Sequence, residues 1–312
     1  MTPKQKATLQ RLGPFLALIA VAVGLAVLSP DFLTMGNLLN VMRQVSINAL
    51  IAFGMTLVIL LGGIDLSVGS MLALSSVGIA SLIRAGLDPM LATLLGVLAG
   101  ALMGLFNGLV ISKGKVAPFI ATLASMTILR GLSLVVSNGS PITGFDSPAF
   151  SMLGGGYVGG FVPVPVVWML LMFALFWFVL KKTVFGRHVY ATGGNEESAR
   201  LSGVRVDRIK LWVYTVSGAM SAMAGVILTS RLNSAQPTAG TGYELDAIAA
   251  VVLGGTSLTG GRGWIFGTLV GALLIGVLNN GLNLLGVSSF YQQVIKGVVI
   301  LLAVLIDRGS KK

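Results

Sequence analysis

Apolar residues run along this chain in long uncharged blocks, at 44–64, 66–83, 89–112, 147–180, 211–230 and 263–295. A helix needs about 20 such residues to cross a bilayer core, so the two longest blocks each hold more than one segment, or a segment and a loop. The blocks are solidly apolar and rich in Leu, Ala, Val and Gly, without the short alternating strands of a membrane barrel. They predict helices at 12–29, 45–61, 66–83, 90–111, 117–137, 164–180, 209–230, 244–256, 264–282 and 290–306. The expected fold is a single all-α polytopic membrane domain, 1–312, of about ten transmembrane helices. Segment 31–43 is too polar to read as a span; Phe32, Leu33, Leu38, Leu39 and Val41 would let it lie at the interface or re-enter. Lys4, Lys6 and Arg11 before the first block resemble the charged front of a signal peptide, but the expectation is retention as a first span that exits at Ser29, Pro30 and Asp31.

Two stretches between blocks stand out by length. Residues 138–163 carry Asn138, Gly139, Ser140, Pro141, Asp146, Pro148 and Gly154 to Gly156, which predicts an external loop. Residues 181–208 are polar and mixed in charge, the composition of a recognition surface inside a very hydrophobic protein.

Within the blocks, LGGIDLSVG at 61–69 is echoed by LGGTSLTGG at 253–261. Gly62 with Gly63, and Gly254 with Gly255, are candidate helix breaks or gates, and the echo suggests two related halves, 12–137 and 164–306. Asp65 has two readings: it caps the following helix, as Ser67 also could, or it belongs to a gate or partner-contact region. Arg130 and Lys296 fall within spans, where they snorkel, pair internally or face a hydrated space. Thr241 and Glu244 have capping-box spacing. The i, i+4 pairs Gly96–Gly100, Gly104–Gly108 and Gly267–Gly271 predict close helix packing. Asn48, Asn279, Asn280 and Asn283 are candidate polar positions of a pathway, and Asn107 is a further polar position between helices.

Composition sharpens the picture: 55% of the 312 residues are hydrophobic and 10% are charged, against about a quarter charged in soluble domains. The net charge of +11 would suggest nucleic acid in a soluble protein, yet here the basic residues sit between apolar runs and report topology. An N terminus in the cytoplasm places Lys4, Lys6, Arg11, Lys113, Lys115, Lys181, Lys182, Arg187, Arg200, Arg205, Arg208, Lys210, Arg262, Arg308, Lys311 and Lys312 inside, with only Arg43, Arg84 and Arg231 opposite. Both termini are then cytoplasmic. There is no cysteine, and the single His188 has no neighbours of ligand spacing, so no metal site is expected. A phosphate-binding loop of the GxxxxGK[ST] type is missing, and the dispersed serines form no catalytic set with one histidine, so no enzymatic activity is expected.

Three stretches, NALIAFGMTLVILLGGIDLSVGS, GRHVYATGGNEESARLSGVRVDRIK and AQPTAGTGYELDAIAAVVLGGTSLTGGRG, resemble the bacterial ABC sugar permeases of the ribose, xylose and galactose group, with the ribose branch nearest in pattern. The resemblance implies an inner-membrane permease with a vitamin-B12-importer-like fold and inverted halves, working as a pair of identical chains. It also implies a cytoplasmic ABC ATPase that uses ATP and Mg, a periplasmic sugar-binding protein, surrounding membrane lipid, and no cofactor on this chain. The implied cargo is D-ribose; another monosaccharide such as xylose or galactose is the alternative, and a secondary carrier or passive channel is the competing class.

By the same resemblance Gly194 to Gly203 holds a short helix that docks on the ATPase. Locally, Asn195 is its N-cap and Gly203 its end, with Glu197 and Leu201 on one face and Arg200 three residues from Glu197. The coupling residues expected are Glu196, Glu197, Ala199, Arg200 and Leu201, with Arg187, Arg205 and Arg208 around them.

Overall fold

The computed structural model describes the backbone of residues 3–145 and 147–309, and the side chains of 12–145, 147–299 and 301. The side chains of Lys4, Lys6, Arg11, Asp146, Arg308, Lys311 and Lys312, to which the sequence assigns a side of the membrane or a loop, lie outside these described residues. The helices are α1 (Pro3–Leu28), α2 (Met35–Leu60), α3 (Val68–Arg84), α4 (Pro89–Ser112), α5 (Pro118–Ser137), α6 (Pro148–Gly155), α7 (Val164–Lys182), α8 (Val184–Gly194), α9 (Glu196–Leu201), α10 (Val206–Leu232), α11 (Tyr243–Leu253), α12 (Ile265–Leu284) and α13 (Ser289–Gly309). The strands are two-residue pieces: β1 (Ile142–Thr143) pairs antiparallel with β4 (Ser234–Ala235), and β2 (Tyr157–Val158) with β3 (Val162–Pro163).

Every predicted apolar segment falls on a helix, and α2, α4, α5, α7, α10 and α12 are long and apolar enough to cross a membrane. Large apolar side chains such as Val27, Leu102, Phe106 and Ile128 are exposed on the outside, a surface suited to hydrocarbon. The core is built around α2, which is enclosed on all sides from Ala49 to Leu60 and packs on α7, α10, α11 and α12. The most extensive helix pair, α4 with α10, joins the first half of the chain to the second.

That pair is close because of glycine. Gly96, Gly100, Gly104 and Gly108 form one row on α4. A Cβ at Gly104 would overlap the Tyr214 carbonyl, one at Gly100 would overlap the Ala222 side chain, and one at Gly108 would meet the Leu211 backbone at 3.0 Å. Gly267 and Gly271 do the same for α12 against the backbone of Gly254 and Ala250 on α11. Packing, the purpose expected of these spacings, is what the glycines serve.

Two predictions are corrected here. Segment 31–43, too polar in sequence to read as part of a span, is largely helix: a turn at Pro30 to Thr34 leads into α2, capped by the Thr34 hydroxyl, which accepts from Asn37 N–H at 3.4 Å. Polar side chains at 37, 40 and 43 are tolerated because they share one face and each finds a partner: Asn37 with Asn280, Asn40 with Arg231, and Arg43 with the Tyr157 hydroxyl. Residues 138–163 are likewise not all loop, since Ser147 caps α6 by accepting from Phe150 N–H at 3.3 Å, with Pro148 at the first turn.

Candidate coupling site and polar interior

The sequence 181–208 folds into two short helices, where a loop with one helix was expected. Thr183 caps α8 by accepting from Gly186 N–H at 3.2 Å, and α8 buries Gly186, Val189 and Thr192 while leaving Arg187 exposed. Asn195 then starts α9, its side chain accepting from Ser198 N–H at 2.8 Å, as its position predicts. α9 ends in a Schellman motif: Gly203 has φ +85°, its N–H bonds Arg200 C=O at 3.0 Å, and Val204 N–H bonds Ala199 C=O at 3.0 Å.

On α9, Ala199 is buried against the protein while Leu201 is 84% exposed, an isolated large apolar side chain beside exposed Glu197, Arg205 and Arg208. The ion pairs differ from the expected spacing. Glu196, not Glu197, meets Arg200 at 3.4 Å and Lys210 at 2.7 Å, and Arg200 also reaches Asp207 at 3.1 Å, which Lys115 approaches at 3.4 Å. Partial burial tends to raise the Glu196 carboxyl, but the Lys210 ammonium and Arg200 guanidinium outweigh it and hold the group below its ordinary range. Glu197 carries no such pair among the described residues, and both it and Leu201 are exposed.

Behind α9 the two glycine breaks meet. α2 and α11 end in the same Schellman geometry: Gly62 (φ +77°) and Gly255 (φ +85°) are the left-handed residues, and Gly63 N–H bonds Val58 C=O as Thr256 N–H bonds Val251 C=O, both at 3.1 Å. Gly261 N–H then bonds Leu60 C=O at 2.9 Å, tying the 254–264 loop to the end of α2. Gly193, the penultimate residue of α8, lies against both: a Cβ there would overlap the Leu60 carbonyl and stand 2.7 Å from Gly261 N. α8, the end of α2 and the loop before α12 are thus joined backbone to backbone. Sequence reading singled out Gly62, Gly63, Gly254 and Gly255 but missed Gly193, Gly260 and Gly261. The paired glycines at 193–194 and 260–261 were the available signal.

Asp65 is completely buried and caps α3 in neither sense expected: Ser67 occupies the N-cap position without a side-chain cap bond. Its Oδ1 accepts from Ser67 N–H at 3.0 Å and Ser67 Oγ at 2.6 Å, and its Oδ2 accepts from Ser217 Oγ on α10 at 3.0 Å. Asn107 on α4 donates to Ser67 Oγ at 2.9 Å, and Ser125 on α5 donates to Asn107 Oδ1. The carboxylate therefore knots four helices around the α2–α3 break. Gly63 leaves the room that the Tyr214 hydroxyl occupies beside it.

Arg130 and Lys296 pair within the protein. Arg130 donates to the carbonyls of Pro237 and Ala239 at 2.7 and 2.8 Å, and Lys296 bridges to Asp246 at 3.0 Å. Thr241 is not a helix cap: it donates to Thr238 C=O, and the N-cap of α11 is Gly242, whose N–H bonds the Glu244 carboxylate at 3.2 Å. The four pathway asparagines are not gathered into one patch. Asn280 exchanges two amide bonds with Asn37, at 3.0 and 2.8 Å, and Asn283 accepts from Gln292 at 2.8 Å. Asn279 is half-buried on α12, its Oδ1 without a partner among the described residues, and Asn48 is half-buried on α2.

Residues 37–304 match the family described as the branched-chain amino acid transport system / permease component. The chain belongs to this family of transport permeases, and it is a multi-pass membrane protein. It is 62% identical to the ribose import permease protein RbsC of Bacillus subtilis over 96% of this chain and 93% of that one. With the ribose import permease protein RbsC of Escherichia coli K12 it shares 52% over 98% and 96%, and with the D-allose transport system permease protein AlsC of the same strain 41% over 96% and 92%. No solved structure matches it.

Proposed function

We propose that this chain is the transmembrane permease subunit of an ATP-driven ABC importer for D-ribose and forms the sugar path across the bacterial inner membrane. The observation that carries the reading is the 62% identity over nearly the full length to a ribose import permease, against 41% to an allose permease. In this reading ten segments cross the membrane in a vitamin-B12-importer-like arrangement of inverted halves, nine as helices (α1 to α5, α7, α10, α12 and α13) and one as the 11-residue α11 with the non-helical 233–242 stretch before it. Both termini and the 181–208 segment then face the cytoplasm, as the basic residues favour. Two copies enclose the path, a periplasmic sugar-binding protein delivers the cargo, and a separate ATPase consumes ATP with Mg. This chain performs no chemistry on the sugar.

α9 is the piece of this chain that docks on the ATPase. Leu201 enters an apolar recess of that partner, Glu197, Arg187, Arg205 and Arg208 set charge contacts around it, and the Glu196–Arg200–Asp207 pairs keep α9 seated on α10. A push on α9 reaches α8, and through Gly193 it reaches Leu60 and Gly261, the ends of the elements that flank the α2 and α11 breaks. Alternation between access states is thereby coupled to a cytoplasmic event by contiguous backbone contact.

Reconstitution tests the assignment. Vesicles holding the permease pair should accumulate radiolabelled D-ribose only with the ATPase, ATP and the delivery protein present. ATP-dependent uptake of xylose, galactose or allose in place of ribose would replace the cargo and keep the class. Uptake driven by an ion gradient without the ATPase would make it a secondary carrier.

A further inference from the structure

A cavity of about 910 Å³ opens between the last turns of α7, the side of α8 and the first turn of α12. Its wall is aromatic and carries one cation: Phe173, Trp177, Lys181, Tyr190, Trp264 and Phe266. Two of the rings are fixed by their polar atoms, since Tyr190 Oη donates to Gly263 C=O at 2.9 Å and Trp264 Nε1 to Gly254 C=O at 3.0 Å. Phe266 is held between Phe15 and Phe173, with ring centroids 5.5 and 6.0 Å away. The cavity is therefore walled by side chains that cannot easily collapse into it. At its rim Lys181 lies over the Trp177 ring at 5.5 Å, Lys182 is exposed next to it, and no carboxylate among the described residues pairs with either.

The geometry points to a binding site for one anionic phospholipid, its acyl chain in the aromatic groove and its phosphate at Lys181 and Lys182. Each part of the site answers one part of that ligand. The groove sits at the end of a spanning helix, and Trp177 in its wall is exposed beside the exposed Phe178, an apolar surface from which a chain can enter. Tryptophan, tyrosine and lysine together at such a helix end are the chemistry of the headgroup region, and basic recesses between helices on the cytoplasmic side select anionic headgroups. The Lys181 ammonium in the lining, with exposed Lys182 next to it in sequence and no carboxylate partner for either among the described residues, favours a phosphate over a neutral solute, and a purely aqueous anion would have no use for the aromatic depth. Placement in the inner leaflet rests on the orientation proposed above. Because Tyr190 and Trp264 hold carbonyls of the 254–264 loop, the lipid would buttress the same junction that Gly193 closes.

Tryptophan fluorescence reads the site directly, since only Trp168, Trp177, Trp212 and Trp264 occur in the chain. The full-length permease carrying Trp168→Phe and Trp212→Phe keeps the two groove tryptophans, and is placed in phosphatidylcholine vesicles with small amounts of acyl-brominated phosphatidylglycerol or acyl-brominated phosphatidylcholine. The brominated phosphatidylglycerol should quench saturably and with at least about fivefold higher apparent affinity, the effect of one basic group at a membrane surface. Lys181→Gln with Lys182→Gln should bring the ratio near one. Ala174→Phe, at an exposed position lining the groove, should abolish the saturable component while leaving both lysines in place. Equal quenching by the two lipids, or a preference untouched by either change, would overturn the proposal. So would shielding of both tryptophans from both quenchers when the ATPase or a second permease copy binds, because a protein would then fill the groove. The measurement needs neither sugar nor ATP, so its failure leaves the ribose reading standing, and failure of ribose uptake leaves this one standing.

Discussion

Gly193→Ala should uncouple this permease, and Gly194→Ala beside it should not. The β-carbon at 193 has nowhere to go: it would overlap the Leu60 carbonyl and approach Gly261 N, and both are backbone atoms that cannot rotate aside. Those two groups are hydrogen-bonded to each other at 2.9 Å, so the added methyl wedges into that bond. Forcing an extra methyl into a packed site costs about 1–3 kcal/mol, and the lost bond adds about 0.5–1.5 kcal/mol. The sum, about 1.5–4.5 kcal/mol, shifts the closed junction roughly 13- to 2,000-fold toward its open form. At Gly194 a Cβ meets nothing within 4 Å, and alanine there only improves helix propensity. The assay is ATP-driven D-ribose uptake in proteoliposomes matched for permease content, with sugar-stimulated ATP hydrolysis measured in parallel. Uptake by Gly193→Ala should fall at least tenfold, while Gly194→Ala stays within twofold of the parent. Equal activity of the two variants would refute the backbone junction as the route from α9 to the spanning helices.

Three further outcomes follow from the geometry. Leu201→Asp, which touches no core residue, should leave insertion and abundance intact while weakening ATPase association in pull-down at least tenfold; unaltered association would remove α9 as the docking element. Asp65→Leu should destabilise the permease by about 2–4 kcal/mol in a thermal aggregation series, because the Ser67 N–H and the Ser67 and Ser217 hydroxyls lose their acceptor, whereas Asp65→Asn keeps most of that network and should cost less than half as much. Glu196 is held below its ordinary value of 4.5, so the stability its pairs contribute is fully present above that pH and is lost as pH falls through the lowered value. Amide protection of α9, corrected for intrinsic exchange, should therefore drop below about pH 4.5 in the parent and drop less in Glu196→Gln, where only the Arg200–Asp207 pair still titrates.

Much of the architecture is legible in the residues alone. Runs of apolar residues long enough to span hydrocarbon determined that the chain is helical and polytopic, since an unpaired backbone amide in lipid leaves few alternatives. Glycines at i, i+4 spacing on α4 determined that another helix would come close, and Asn195 and Gly203 determined where α9 begins and ends. These are local matters, decided by side-chain size, by φ, and by hydrogen bonds between near neighbours. Only the tertiary structure decided the partners. Segment 31–43 looked too polar for a membrane span because Asn37, Asn40 and Arg43 are costly alone, and each becomes affordable only beside a residue more than 100 positions away. Asp65 read as a cap because the Gly62–Gly63 break precedes it, yet Ser67 and Ser217 fix it as an acceptor between helices. Gly193 showed in sequence only as one of a glycine pair, for its role depends on Leu60 and Gly261, which sequence places far apart and the fold presses against it. Long-range pairing of polar groups and contact between distant backbones leave no periodic trace along a chain, which is why they became visible only once it was folded.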